Sequence, residues 1–166
     1  MFVSAFKYKK AANKALLDIE GPQLDLLNEK DKTFFLRILN HTSVVDSLFI
    51  SRLSDTPELY QADNTLNTPT IDELRAFMLE CDDWLIEFAK HLTPEIQHQR
   101  VSFQFVDGDN GSMSVPEVLL HLLMHGSNHR GMASRVLASN DLERPKDTFT
   151  RYLHQIEPHR RMSKKL

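Results

Sequence analysis

Residues 114–139 read SVPEVLLHLLMHGSNHRGMASRVLAS, and this stretch decides the fold class. Ser114 and Glu117 have the spacing of a capping box, in which each side chain accepts a hydrogen bond from the other residue's backbone amide at a helix start. Behind them, apolar residues recur every three or four positions as far as Ser139. The stretch therefore predicts one long amphipathic helix, which needs other helices to cover its apolar stripe.

The preceding sequence predicts three more long helices, at about residues 3–19, 31–53 and 70–92. Asp31 is the expected N-cap of the second helix, and another capping-box pattern opens the third. The polar segment 55–69, which lies between them, is predicted to be a connecting loop.

Two shorter features complete the predicted fold. Val101–Phe105 alternates apolar and polar residues, and the Asp-Gly and Asn-Gly pairs that follow it are turn signals, so a short hairpin is expected there. A short helix is expected at about 147–154. The whole pattern predicts an all-α protein, a four-helix bundle that forms a single domain over 1–166, with about ten residues at the end as a flexible basic tail.

Composition and charge exclude several classes of protein. The formal net charge of −3 at pH 7 gives no reason to expect nucleic acid or a membrane as the partner. The single cysteine, Cys81, rules out an internal disulfide and a thiolate zinc cluster, and it is interpreted as a buried core thiol. No signal peptide is evident, and no apolar run reaches the roughly 18 residues of a membrane-spanning helix. A cytoplasmic location is therefore expected.

Two histidines stand on the apolar stripe of the last long helix. At about 100° per residue, His125 and His129 share a narrow sector with residues such as Val118, Leu122 and Met132, which is the face expected to be buried. Side chains four residues apart lie one above the other, so both rings can converge on one point. A divalent cation would accept a lone pair from each neutral ring and so satisfy both buried groups.

A third histidine, His41, lies on the predicted stripe of the second helix, between Ile38 and Val45. Three histidines without a fourth protein ligand describe an open coordination sphere, which is typical of a reactive metal site rather than a structural one. Taken singly, each could instead be a core histidine. Together, His41, His125 and His129 favour a metal site.

The sequence also resembles the DinB-like family of metal-binding four-helix bundles, which includes thiol-dependent S-transferases. The strongest match is the segment HGSNHRG at 125–131, which has the family's histidine, three residues and histidine-arginine-glycine. NHT at 40–42 is similar to the second-helix ligand segment, and further matches lie at 8–13 and 70–75. The resemblance therefore covers nearly the whole chain in the right order.

The resemblance implies an up-down-down-up bundle, often dimeric, with one divalent ion on three histidines. These carry over to His41, His125 and His129, with zinc or nickel as the expected metal and iron as the alternative. The sequence departs from the common family pattern at Asn128, where histidine is frequent, and at Met132, where glutamine is frequent. Both departures concern the substrate more than the metal.

The expected function is a metal-dependent enzyme that activates a small thiol or water for transfer to an electrophilic small-molecule substrate. A thiol S-transferase is the first hypothesis and a metal-dependent hydrolase the second; a non-catalytic metal-binding or structural bundle is the third. The expected partners are the small-molecule substrate and a second copy of the chain, and no general base is identified.

Four other residues carry expectations of their own. His121 is predicted to be a partly exposed histidine outside the metal site. Arg130 is predicted to lie off the metal face and to anchor a carboxylate, and Asp46 could orient His41 only by folding back along its helix. Glu95 has the Glu-x-x-His spacing of di-iron bundles, but a single copy argues against such a centre.

Overall fold

The structure is a computed structural model that describes residues 1–19, 21–105 and 108–161. The two residues Val106 and Asp107, within the predicted turn region, and the last residues of the predicted basic tail, 162–166, lie outside the described part of the chain. The elements in chain order are α1 (Phe2–Leu17), α2 (Gly21–Leu24), α3 (Glu29–Ser54), α4 (Ile71–Lys90), α5 (Pro94–His98), β1 (Arg100–Gln104), β2 (Asn110–Ser114), α6 (Val115–Ser139), α7 (Phe149–Ile156) and a 3-10 turn (Pro158–Arg160).

The protein is mostly helical, as predicted, and its four long helices pack against each other in a ring. α1 contacts α4 and α6, and α3 contacts the same two helices. The core falls into two apolar clusters, one around Phe35, Leu39 and Met78 and the other around Phe6 and Leu122. No helix among the described residues is long and apolar enough to cross a membrane.

Local capping chemistry sets where the long helices begin. The capping box of Ser114 and Glu117 is present in full at the start of α6, and the same arrangement opens α4. The prediction for α3 is wrong: Asn28, not Asp31, is the N-cap. The Asn28 side chain accepts a 3.0 Å hydrogen bond from the Asp31 amide, so α3 begins two residues before Asp31.

The predicted hairpin is present, although its second strand begins earlier than expected. β1 pairs antiparallel with β2, so the Asn-Gly pair predicted to be a turn belongs to a strand. Gly111 is required there because a Cβ atom would lie 2.6 Å from the Phe103 ring and 2.8 Å from the Phe105 ring. The two rings make a T-shaped contact at 4.9 Å, and this places Phe105 beside α3 and α6.

The buried face of α6 is shifted from the predicted one. Its centre runs along Leu122, Gly126, Arg130, Ala133 and Leu137, while the predicted stripe residue Met132 is 38% exposed. α6 packs against both α1 and α3, so the histidine sector becomes a flank that faces α3 rather than the centre of the core.

The same shift occurs in α3. Phe34, which begins its predicted stripe, is 43% exposed, and the buried centre runs instead through Phe35, Leu39 and Phe49. His41 is therefore half-buried at the edge of the core, where α3 meets α6.

Candidate metal centre

The three predicted histidines converge at the contact between α3 and α6. The Nε2 atom of His125 lies 3.1 Å from that of His41 and 3.0 Å from that of His129. One ligand atom from each residue lies within 4.8 Å of the other two. A cation bound by imidazoles lies about 2.0–2.1 Å from each nitrogen, so its ligand atoms must come to about 3 Å from each other. These three residues are thus close enough to hold one metal ion.

The positions of the ring protons show why the three histidine Nε2 atoms fit a cation. The Nδ1 atom of His41 lies 2.7 Å from the backbone oxygen of Asp63, so Nδ1 donates and Nε2 carries a lone pair. The Nε2 atom of His125 faces two other Nε2 atoms, and one proton cannot point linearly at both. Three lone pairs directed at one cation remove this conflict.

The electrostatic surroundings keep the His125 and His129 rings neutral. Burial lowers the pKa of His125 to about 3, and the neighbouring His129 and His41 add to the effect. Burial, together with His41, also lowers the pKa of His129. Neutral imidazoles have the lone pair that a metal ion requires.

Asp63 orients His41, and sequence reasoning missed it. Besides its backbone contact, Asp63 places a carboxylate oxygen 3.8 Å from His41 Nδ1. The Asp46 side chain, which could orient His41 only by folding back along its helix, instead accepts a 2.6 Å hydrogen bond from the Lys9 ammonium. An aspartate in a polar loop carries no signal of such a contact, which depends on how segment 55–69 folds over α3.

His121 lies next to the three histidines but is not one of them. Its ring is half-buried and stacks on His125 at a centroid distance of 5.4 Å, with Phe49 at the same distance. Burial lowers its pKa. His121 is partly exposed, as predicted, and its ring packs on that of His125.

A cavity of about 630 Å³ opens beside the histidines, between α3, α6 and the hairpin. His125 belongs both to its wall and to the converging histidines. The other lining residues are mostly apolar: Val45, Leu48, Phe49, Phe105 and Met113, with Arg52, Asp63 and His121 as the polar ones.

A buried polar layer, also missed from the sequence, separates the two apolar clusters. The Lys9 ammonium donates to Asp46 at 2.6 Å and to Asp82 at 2.7 Å, and all three side chains are at most 1% exposed. Asn13 donates to Asp82 at 2.7 Å and accepts from Arg130 at 3.1 Å. The layer therefore joins α1, α3, α4 and α6 at the level of the histidines.

Gly126 allows the layer to lie directly beneath the histidines. A Cβ atom at this position would lie 3.1 Å from Lys9 Cε and 3.4 Å from Arg130 Nη1. The small residue thus lets the lysine chain pass under α6, next to His125. Single lysines and aspartates on amphipathic helices usually indicate a solvated face, which is why the sequence did not reveal the layer.

Arg130 anchors a carboxylate inside the protein, as predicted. It is 1% exposed and donates from Nε to Asp147 at 2.7 Å, and the Tyr8 hydroxyl also donates to Asp147. These contacts hold the segment that leads into α7 against α1 and α6.

Two further expectations concern groups away from the histidines. Cys81 is buried, and burial raises the pKa of its thiol, which agrees with a core role. Glu95 and His98, which have the Glu-x-x-His spacing, are both exposed, and His98 Nδ1 hydrogen-bonds with the Pro94 carbonyl oxygen. Within the part of the chain that the structure describes, His41, His125 and His129 form the one group suited to a metal ion.

We expect the contribution of Asp46 to the stability of the protein to fall as pH rises between about 4 and 6. Burial raises the pKa of this carboxyl from 3.8 to about 6, with Lys9 opposing the rise and Asp82 adding to it. The folded state therefore keeps a proton that the unfolded chain has released. The stabilisation is complete below the unfolded pKa and is lost through the folded one, by up to about 3 kcal/mol.

The measurement is urea unfolding of the wild type and of Asp46→Asn at several pH values from about 4 to 7. Asparagine cannot ionise, so the difference in unfolding free energy between the two proteins should change across this range. A constant difference would contradict the prediction. Other titrating groups are common to both proteins and cancel in the difference.

Comparison with known protein families gave a match. The model of the DinB family matches residues 4–161, which is nearly the whole chain. Comparison with curated proteins gave no match, and comparison with solved structures gave none either.

Proposed function

This chain belongs to the DinB family, and from that premise we propose that it is a metal-dependent enzyme acting on small molecules. His41, His125 and His129 would hold one divalent ion. The observation that carries the proposal is the convergence of their three Nε2 atoms, with separations of 3.0 and 3.1 Å, beside an open cavity.

Zinc or nickel is the proposed metal, with iron as the alternative, because neutral imidazole suits all three. Three protein ligands leave part of the coordination sphere for a substrate. A divalent cation there would lower the pKa of a bound thiol or water, which is the activation that transfer or hydrolysis requires.

Residues around the histidines orient the metal ligands and give the site an apolar wall. Asp63 fixes the tautomer and direction of His41 through its backbone oxygen. His121 packs on His125, and the apolar cavity wall displaces water from one side of the site. A thiol S-transferase is the first proposal and a hydrolase the second, since both use such a site.

The up-down-down-up order of the four long helices is part of the proposal. The sequence positions of the residues that contact each other between helices support it. α3 and α6 are antiparallel: Asp31, at the start of α3, contacts Asn140, at the end of α6, and Phe49, near the end of α3, contacts His121, near the start of α6. α1 and α6 run in the same direction, because Lys9 lies next to Gly126 and Asn13, one turn later on α1, pairs with Arg130, one turn later on α6.

A homodimer and a cytoplasmic location are also proposed. The outer side of α6 exposes Leu120 (52%), Met124 (64%) and Met132 (38%), a surface that a second copy could cover. Sedimentation of the protein should then give twice the chain mass of 19.2 kDa, and a monomer at all concentrations would contradict the dimer.

Elemental mass spectrometry of tag-free protein tests the metal. We expect close to one divalent ion per chain, either as purified or after addition of zinc, nickel or ferrous iron. A protein that takes up none of the three metals would overturn the site. Turnover that needs an added low-molecular-weight thiol would favour the transferase, and turnover without one would favour the hydrolase.

Chelation separates an enzyme site from a metal that only stiffens the fold. The two apolar clusters form without the histidines, so the metal-free protein should keep its helical circular dichroism. Loss of the helical signal on chelation would instead indicate a structural metal.

A further inference from the structure

We propose that the cavity beside the histidines binds an uncharged apolar group of the substrate, either an aromatic ring or a branched alkyl chain. The inference rests on the proposed function, since it names the kind of molecule that the metal site would act on. The evidence lies in the wall of the cavity, in its charges and in its size.

The wall is apolar where α3 and the hairpin form it. Val45, Leu48 and Phe49 come from α3, Met113 comes from β2, and Phe105 follows β1. When one atom of a ligand reaches His125, the rest of the ligand therefore contacts aliphatic and aromatic side chains. Such a surface favours a group that loses little hydration on entering.

The charged residues of the cavity do not offer an anchor to an anion. Arg52 donates from Nε to Glu58 at 2.6 Å and from Nη2 to the Gln104 oxygen at 3.1 Å. Its guanidinium lies 5.0 Å from the centre of the Phe49 ring and 4.6 Å from that of Phe103. The positive charge is thus already compensated by a carboxylate and by two aromatic faces.

Asp63 adds a negative charge at the exposed side of the cavity. Its side chain is 63% exposed, so its carboxylate faces water near the histidines. An anionic ligand body would be repelled there, and a neutral one would not. Away from the metal, the Asp63 carboxylate therefore gives an anionic group no stabilisation in this part of the cavity.

The cavity is large enough to admit one ring or a short branched chain with room to spare. A volume of about 630 Å³ lies within the range of small-molecule sites. Transfer of a phenyl-sized group onto this wall should strengthen binding roughly tenfold to a hundredfold.

The first test uses the metal-free protein and therefore does not depend on the proposed function. Benzyl alcohol is titrated against the protein while the methyl resonances of Val45, Leu48 and Met113 are followed by NMR, with ethanol as the matched ligand without a ring. We expect saturable shifts of these methyls with benzyl alcohol alone. Shifts that are absent, or that fall elsewhere on the protein, would overturn the inference.

The second test uses the Co²⁺-loaded protein and compares two thiols, benzyl mercaptan and 2-mercaptoethanol, by the thiolate-to-cobalt absorption band. Benzyl mercaptan should bind roughly tenfold to a hundredfold more tightly. Equal affinities would overturn the inference. If neither thiol produces the band while benzyl alcohol binds the metal-free protein, the thiol role in the proposed function fails and the cavity assignment holds.

A pair of matched variants locates the effect. Val45→Phe places a ring against the same wall and should remove most of the preference for benzyl mercaptan over 2-mercaptoethanol. Val136→Phe makes the same change at another half-buried position, outside the cavity, and should keep the preference. A preference that survives Val45→Phe would contradict the assignment, and the wild-type comparison of the two thiols stands even if a variant does not fold.

Discussion

Replacing Lys9 with methionine is expected to lower the free energy of unfolding by about 3–5 kcal/mol, the cost of breaking a buried ion pair from one side. Asp46 and Asp82 are both 0% exposed and would lose the ammonium that they share. Without the ammonium, two carboxyl groups in a dry interior must either repel each other or take up a proton, and both cost free energy at neutral pH. Urea unfolding at neutral pH measures the loss.

Lys10→Met is the matched control for this prediction. Lys10 is the next residue on α1 and pairs with Asp83, the next residue on α4, at 2.5 Å. Both of these side chains are substantially exposed, so the control should change stability by no more than about 0.5–1 kcal/mol. Equal effects of the two substitutions would show that the buried layer has no special role.

A combined variant separates lost packing from uncompensated charge. Lys9→Met together with Asp46→Asn and Asp82→Asn removes the charges along with their partner. Because an uncharged set of similar volume is often close to neutral in stability, we expect most of the loss to be recovered. A combined variant as unstable as Lys9→Met alone would show that charge is not the cause.

Replacing His125 with alanine is expected to weaken divalent-metal binding by more than about a hundredfold, since even outer partners of a ligand are worth about 10–100-fold. The Nε2 atom of His125 is the one that lies near both of the other Nε2 atoms. Without it, His41 and His129 would be a two-ligand set. Metal content and competition with a chelator measure the change.

His121→Ala is the control for this substitution. It removes the same ring one turn earlier on α6, from a residue that contacts His125 but does not belong to the converging set. It should keep about one metal ion per chain and lower affinity far less. If His121→Ala and His125→Ala lose metal equally, the assignment of the site to the three histidines is wrong.

Thermal unfolding gives an independent reading of the same prediction. A ligand present at a hundred times its dissociation constant stabilises the folded protein by about 2.7 kcal/mol. Added metal should therefore raise the melting temperature of the wild type and of His121→Ala but not that of His125→Ala. In the presence of chelator the three proteins should differ little, because both apolar clusters remain intact.

The sequence by itself determined the four long helices and most of their boundaries, because the interactions that set them are local; the short helices α2 and α5 were not predicted. The capping boxes that open α4 and α6 need only residues three positions apart, and both are present as predicted. The start of α3 was misjudged because Asn28 and Asp31 are both good N-caps by type, and only the backbone conformation distinguishes them. The histidine pair on α6 is likewise a consequence of helical spacing.

The tertiary structure decided which helix faces are buried and what lies beneath the histidines. α6 packs against two neighbouring helices at once, so the centre of its buried face lies along Arg130 rather than along the predicted apolar stripe. The histidines therefore lie on the flank of this buried face. The partners of Lys9 lie 37 and 73 residues away along the chain, and Asp63 comes from an irregular loop. Charge pairing and cavity shape arise from the meeting of distant segments, which no local pattern in the chain encodes.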